Sequence, residues 1–268
     1  MKRHLLAFLL LCACAPPLTD IERSHMQEVL PKYQAMSLEE LRAIDTTLLD
    51  GGQQVAFKKA LREAEKQRRK EERAERKRLA QVIKAYKYTD IRRSPYERDI
   101  RVYGRSISEL FSMTDSSWYL AASFGPDGAS FEVIYTVDYN NFDYNRTPDD
   151  PPPQITPGSW RIYNRASFYG GEPAAINNTR QSDSGCDKVQ CDFEETVWID
   201  LPYSKIIEAL ENGGDIDLRV VARSGDKDYI TISHGDLVGY IRRIHDELGY
   251  FKEATARFPE LREPLPIK

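Results

Sequence analysis

The stretch FEVIYTVDY, residues 131–139, decides the fold class of this chain. Its apolar side chains recur at every second position, at Phe131, Val133, Tyr135, Val137 and Tyr139. Successive side chains of a β-strand point to opposite faces, so this period of two is typical of a strand with one buried face. The stretch therefore predicts a half-buried sheet.

Similar segments lie on both sides of this stretch. They are WYLAA at 118–122, WRIY at 160–163, VWIDL at 197–201, and the alternating runs 216–222 and 229–232. The turn Ser224-Gly225-Asp226 between the last two runs predicts a hairpin. Residues 140–158 contain three consecutive prolines at 151–153 and predict an exposed loop.

Two helices are expected among and after the strands. Residues 203–212 follow Pro202 and end at Gly213, which predicts a short helix. Ser233 caps a last helix whose apolar side chains share one face, and that face predicts packing on the sheet. These side chains are Leu237, Ile241, Ile244 and Leu248. The tail from Pro259 is expected to be irregular.

The first part of the chain has a helical period instead. Ser37 and Glu40 form a capping box for a short helix that Gly51-Gly52 should end. Residues 53–86 then lack Gly and Pro and predict one long, charged helix. We expect ion pairs Glu65–Arg69 and Glu72–Arg76 along it.

The long helix is strongly basic. Residues 58–84 carry twelve Lys and Arg against five Glu, whereas residues 85–268 carry 21 basic against 30 acidic residues. Three partners suit this charge: anionic lipid head groups, lipopolysaccharide phosphate or an acidic protein. The alternative is a solvated charged helix that contacts nothing.

The amino terminus has the features of an export signal. Lys2 and Arg3 precede the apolar run 5–11, which is too short to span a bilayer. The following residues Leu11-Cys12-Ala13-Cys14 resemble the lipobox of bacterial lipoproteins, although Cys12 stands where Ala, Ser or Thr is commoner. The resemblance implies cleavage before Cys14 and a diacylglycerol on its sulfur. An ordinary secretory signal with a chance cysteine is the alternative.

These observations predict a cellular location and a division of the chain into segments. The lack of aspartate at position 15 favours a periplasm-facing place on the outer membrane, by analogy with lipoproteins. We expect a signal peptide at 1–13, a lipidated tether at 14–36, a helical stalk at 37–90, a globular domain at 97–250 and a tail at 251–268. The predicted fold is α+β: a charged helical stalk, then a β-rich, sandwich-like, mainly antiparallel domain with a short helix and a carboxyl-terminal packing helix.

Cys12 leaves with the signal and Cys14 takes the lipid, so two cysteines remain to pair, Cys186 and Cys191. In an oxidising periplasm such a pair is expected to form a disulfide, which contributes about 2 kcal/mol for so short a loop. Two free thiols or a zinc site are the alternatives, but zinc lacks its usual four ligands here. The stretch 186–244, with Cys-x4-Cys, Phe193-Glu194-Glu195 and the hairpin, resembles the carboxyl-terminal domain of uncharacterised proteobacterial envelope proteins. That resemblance implies no activity.

The sequence offers little catalytic chemistry. It has no Gly-x-Ser-x-Gly motif and no free cysteine for thiol catalysis, and His234 and His245 are too far apart on one helix to share a metal. We therefore expect no catalytic residue, metal or cofactor. Calcium could bind among the aspartates of two segments, although solubilising charge is the simpler explanation. The segments contain Asp138, Asp143, Asp149 and Asp150, and Asp183, Asp187 and Asp192.

Three functions remain open at this level. The preferred one is a binding or structural role in an envelope assembly, with the membrane held through lipid on Cys14, an envelope protein or cell-wall component as partner, and no nucleic acid. Trp118, Trp160 and Trp198, with the fifteen tyrosines, could form a glycan- or peptide-binding face, or could pack in the core. A hydrolase of envelope polymers would require convergent carboxylates, for example Asp138, Glu194, Glu195 and Asp200. The third is an accessory lipoprotein of a secretion- or phage-related machine, docked through the basic helix.

Overall fold

The computed structural model describes residues 19–109, 115–142, 160–186 and 190–266. Cys14 and the aspartates at 143, 149, 150 and 187 lie outside these ranges. The chain divides into two compact units, Met1–Arg76 and Lys77–Lys268, and the fold is a mixture of helices and antiparallel sheets, as the α+β prediction requires. Among the described residues, no helix is both long and apolar enough to cross a membrane.

The first unit begins with a helix where the sequence suggested an irregular tether. Helix α1 spans Asp20–Gln34 and starts with a capping box between Thr19 and Glu22. Pro31 lies inside it and does not end it. Leu30 and Tyr33 of α1 pack against an apolar cluster, and this tertiary contact stabilises a 15-residue helix that would be marginal with its capping box alone.

Helix α2, Leu38–Arg42, has the predicted capping box of Ser37 and Glu40. A short 3-10 turn, Thr46–Leu48, follows it. Helix α3 spans Gly51–Tyr88, so the glycine pair begins this helix rather than ending the previous one. The backbone of α1 explains the second glycine, because a Cβ at Gly52 would lie 2.4 Å from the carbonyl oxygen of Glu22.

Helix α3 packs on its neighbours through one apolar face, at Phe57 and Ala60 beside Leu41. The two ion pairs expected within the helix are not formed. Glu65 instead lies 3.6 Å from Arg42, and Glu72 lies 2.9 Å from Arg68. Each glutamate has two basic residues within reach, Arg69 and Arg42 for Glu65 and Arg76 and Arg68 for Glu72. The sequence spacing does not determine which of the two forms the ion pair.

The second unit contains two antiparallel sheets. The larger sheet has the strand order β1-β2-β4-β5-β9-β8, with β3 paired to β4, and the smaller has the order β11-β10-β6-β7. The strands are β1 Asp90–Arg93, β2 Ile100–Tyr103, β3 Ile107–Glu109, β4 Asp115–Gly125, β5 Gly128–Phe142, β6 Tyr163–Phe168, β7 Pro173–Ala174, β8 Ile176–Cys186, β9 Gln190–Asp200, β10 Ile216–Ala222 and β11 Lys227–Ile232. The predicted hairpin of β10 and β11 is present.

Both sheets and three helices share one apolar core. Helix α4 spans Tyr203–Asn212, α5 spans His234–Leu248 and α6 spans Lys252–Arg257. Leu237, Ile241 and Ile244 of α5 are fully buried, as their shared face predicted. The expected irregular tail is wrong up to Leu261, because α6 and a 3-10 turn, Pro259–Leu261, bury four side chains in this core. They are Phe251, Ala254, Phe258 and Leu261.

The end of α3 belongs to this core too. A Cβ at Gly239 of α5 would lie 2.3 Å from the carbonyl oxygen of Val82, and one at Gly235 would lie 3.2 Å from that of Arg78. Small residues four apart let two helix backbones approach closely. The glycines therefore set the contact between α5 and the last turns of α3.

Candidate functional site

A disulfide joins Cys186 and Cys191, the pair expected from the sequence. The two residues are register partners at the end of strands β8 and β9 that residues 187–189 connect, with their Cα atoms 4.0 Å apart. The bond therefore closes a hairpin. In the described part of the chain, no group of three or more His, Cys, Asp or Glu side chains is arranged to hold a metal ion.

The four carboxylates considered for hydrolysis do not converge. Asp138 and Glu194 face each other across β5 and β9 and are exposed, whereas Glu195 is buried on the opposite face of the sheet. Asp200 lies six residues along β9 from Glu194, which is about 20 Å in a strand. These residues therefore do not form one catalytic centre.

Glu195 instead organises the interior. Its side chain is 2% exposed. Its carboxylate accepts hydrogen bonds from the Tyr139 hydroxyl and from the backbone N–H groups of Ile162, at 3.1 Å, and Tyr163, at 3.3 Å. Burial, and then the hydrogen bond to Glu195, raise the pKa of Tyr139 well above its ordinary value, so this phenol stays a donor.

The same network reaches the smaller sheet. The Tyr163 hydroxyl donates to Asp228 of β11, and the Arg161 guanidinium lies 4.4 Å from the centre of the Tyr139 ring. Ile162 has a φ of 58°, a left-handed conformation that costs a β-branched residue about 1–3 kcal/mol. The predicted strand at 160–163 therefore starts only at Tyr163. The network joins the two sheets and holds a strained residue between them.

The three tryptophans occupy different environments. Trp118 is buried in the core, and Trp160 packs edge-on against Phe193 with ring centres 4.8 Å apart. Trp198 alternates with the core residues of β9 and lies partly exposed on the other side of the larger sheet. We call that side the outer face and define it by Glu132, Ile134, Thr136 and Asp138 of β5 and their partners on neighbouring strands.

An aromatic row crosses the middle of the outer face. Ile134 is paired with Tyr119 of β4 on one side and with Trp198 of β9 on the other. Both rings are partly exposed, while Ile134 between them is 4% exposed. Tyr103 of β2 pairs with Ala121 of β4, one step along the outer face, and its ring meets the row diagonally, with its centre 6.2 Å from that of Tyr119.

Two arginines surround the outer end of this row. The Arg92 guanidinium lies 4.8 Å above the Tyr103 ring. A hydrogen bond to Tyr103 is the largest cause of the raised pKa of Arg101, followed by the charge of Glu97. Burial, and then the neighbouring Tyr103, raise the pKa of Tyr119. Each arginine is paired with a carboxylate, Arg92 with Asp90 at 2.7 Å and Arg101 with Glu97 at 3.4 Å. The β1–β2 edge of the row therefore carries charges of both signs, and its centre is neutral.

The next rows of the outer face are polar. Thr136 and Thr196 place their hydroxyl oxygens 3.1 Å apart on neighbouring strands. One row further, Asp115, Asp138 and Glu194 stand side by side on β4, β5 and β9. Burial, and then the charges of Glu194 and Asp115, raise the pKa of Asp138. The face therefore combines flat rings, hydroxyl groups and charges of both signs.

Such a surface suits a long polar ligand. Aromatic rings with partly exposed faces offer large, stiff contact areas, and the flanking polar groups supply directional hydrogen bonds. Trp198 and the tyrosines as a class are candidates for a binding face from the sequence, but the sequence does not single out Tyr103, Tyr119 or the rows around them. The sequence contains one signal for this face: Tyr and Trp occur in several strands at positions that alternate with the buried residues, where polar side chains are usual.

No protein-family model, curated protein or solved structure shows significant similarity to this chain.

Proposed function

We propose that this chain is a lipid-anchored protein of the bacterial cell envelope that binds a cell-wall polysaccharide without catalysis. The lipobox-like residues 11–14 support lipid attachment at Cys14. The disulfide of Cys186 and Cys191 fits an oxidising compartment such as the periplasm. The proposal also includes the finer parts of the predicted fold, in which α3 serves as a stalk and the second unit is a sandwich-like globular domain.

The aromatic row of the outer face is the observation that carries the binding role. Tyr103, Tyr119 and Trp198 could each stack on the apolar C–H face of a sugar ring. The hydroxyl groups of Thr136 and Thr196 and the charged rows beyond them match the hydroxyl, amide and amino groups of wall saccharides. Aromatic rings with charge at the rim also occur at protein–protein interfaces, so the sedimentation assay below decides between a polysaccharide and a protein partner.

The other two functions have less support. A hydrolase built on the four carboxylates would need them in one cleft, and they lie on opposite faces and at separate ends of the sheet. An accessory role in a secretion- or phage-related machine would use α3 as a protein-docking element. Among the described residues of the second unit, we find no contact that supports docking to such a machine rather than ligand binding by the outer face.

Sedimentation with purified peptidoglycan tests the binding role. The wild-type chain should sediment with the polymer, and a Tyr119→Ala, Trp198→Ala variant should remain largely in the supernatant. The matched control is Tyr96→Ala, Tyr229→Ala, which removes two exposed tyrosines from outside the outer face, 96% and 65% exposed. If both variants sediment as the wild type does, the outer face is not the binding surface.

Lipid attachment at Cys14, and with it the proposed location, is tested separately. Palmitate labelling of cells should mark the wild-type chain and should not mark a Cys14→Ser variant. Unlabelled wild-type protein would remove the lipid anchor from the proposal without bearing on polysaccharide binding.

A further inference from the structure

One side of α3 carries a regular row of positive charge. Its members follow each other at intervals of three, four, three, four and three residues, and all six are exposed. They are Lys59, Arg62, Lys66, Arg69, Arg73 and Arg76. Intervals of three and four place side chains on one stripe of an α-helix, and this stripe is about 26 Å long at 1.5 Å per residue. We call it the basic stripe.

The described helices of the first unit leave the basic stripe uncovered. Helices α1 and α2 pack on the other side of α3, through Phe57, Ala60 and Ala64. From Lys66 to Arg76 every residue is exposed, so neither of these two helices packs closely on this part of α3. The stripe is therefore a solvent-exposed surface.

The stripe also lacks internal counter-charges. In the described ranges, none of its six side chains has a carboxylate within salt-bridge distance. The glutamates of the same helix have partners: Glu63 accepts from Gln34, Glu71 from Gln67, and Glu72 pairs with Arg68. Like charges three and four residues apart destabilise a helix slightly, and an external anion would remove that cost.

We propose that the basic stripe docks on the phosphate-bearing head groups of an anionic lipid bilayer. A bilayer is favoured as the partner because the proposed lipid at Cys14 would hold the first unit next to one. The inference therefore rests on that proposed lipid. Five residues lie between Cys14 and Asp20, the first residue of α1, so the six steps along the chain can span at most about 20 Å. The first unit must therefore stay beside the bilayer that holds the lipid.

A lipid chain together with a polybasic surface gives two membrane signals on one chain. Each Lys or Arg beside an anionic leaflet improves partitioning about fivefold. Removing four charges should therefore weaken binding about 25-fold if two of them reach the surface together, and about 600-fold if all four do. The attraction should also fall with added salt, since exposed charges are screened.

Vesicle flotation tests the stripe without the lipid. The protein for this assay begins at residue 14 and carries Cys14→Ser. It cannot be acylated at this position, and it retains every residue that the structure describes, so any binding it shows does not depend on the lipid. It should float with phosphatidylcholine vesicles that contain phosphatidylglycerol and should not float with phosphatidylcholine alone. The stripe variant is Arg62→Gln, Arg69→Gln, Arg73→Gln and Arg76→Gln, because glutamine preserves helix propensity.

The control variant loses the same charge elsewhere, through Arg165→Gln, Arg219→Gln, Arg223→Gln and Arg262→Gln, all exposed in the second unit. Loss of flotation by the stripe variant at unchanged helical circular dichroism, with the control floating normally, supports the proposal. Equal flotation of both variants, equal loss by both, or equal binding to neutral vesicles overturns it. Absence of palmitate labelling would refute the anchor while leaving this result standing.

Discussion

Replacing Glu195 with alanine should destabilise the second unit strongly. The substitution removes the acceptor of three buried donors: the Tyr139 hydroxyl and the N–H groups of Ile162 and Tyr163. Each buried polar group that is left without a partner costs about 1–3 kcal/mol. The gain from no longer burying a carboxylate offsets part of this sum. We expect a loss of about 3–5 kcal/mol, which is a large share of a typical domain's stability.

Urea unfolding followed by tryptophan fluorescence measures this loss. Trp118, Trp160 and Trp198 are the three tryptophans of the chain, and all lie in the second unit, so the signal reports on that unit. The adjacent Glu194→Ala provides the control. It changes the same residue type on the exposed face and should alter the free energy of unfolding by no more than about 0.5 kcal/mol.

The two results together test the reasoning. A loss below about 1 kcal/mol for Glu195→Ala would show that the donors find other partners and that the network does not hold the sheets together. An equal loss for Glu194→Ala would show that burial on one face of β9 does not decide the effect. Either outcome would refute the argument.

Three further predictions concern other parts of the second unit. Gly239→Ala should destabilise it by about 1–3 kcal/mol in the same urea assay, because the added Cβ meets the backbone of α3, whereas Gly214→Ala, which has open space, should be nearly neutral. Asp138→Asn should raise the free energy of unfolding at neutral pH, since burial and then Glu194 and Asp115 hold the folded pKa of Asp138 above its unfolded value; the gain should shrink as the pH falls through that folded pKa. Burial raises the pKa of Glu260, but hydrogen bonds from His234 and Arg78 outweigh it and leave the pKa below the ordinary 4.5. Glu260→Gln should therefore lower stability at pH 7, and the difference from wild type should disappear in acid as Glu260 is protonated; a difference that persists there would contradict the assignment.

Much of the local structure could be predicted from the sequence. The period of two in residues 131–139 lies within β5, and the predicted helix at 203–212 is α4. Ser37 and Ser233 are the N-caps of α2 and α5, and Gly213 ends α4 in a left-handed conformation. These features depend on residues within a few positions of each other, so the chain itself displays the cause.

Contacts that depend on distant segments could not be predicted in this way. The tail from Pro259 is predicted to be irregular because it is rich in proline, yet Leu261 and the preceding Phe258 are buried in the core. Helix α1 likewise depends on packing through Leu30 and Tyr33. Local propensity is weak in such short segments, and the neighbour that stabilises them lies far away in the chain.

The candidate site separates the two kinds of information most clearly. The sequence alone determined that residues 194 and 195 are adjacent glutamates before the predicted strand 197–201, and that basic residues recur along α3. Only the tertiary structure decided that both glutamates lie in β9, that Glu195 is the buried one and that Tyr103, Tyr119 and Trp198 come together on one face. The physical reason is that neighbours across a sheet are set by strand register, which results from pairing between segments far apart in the chain.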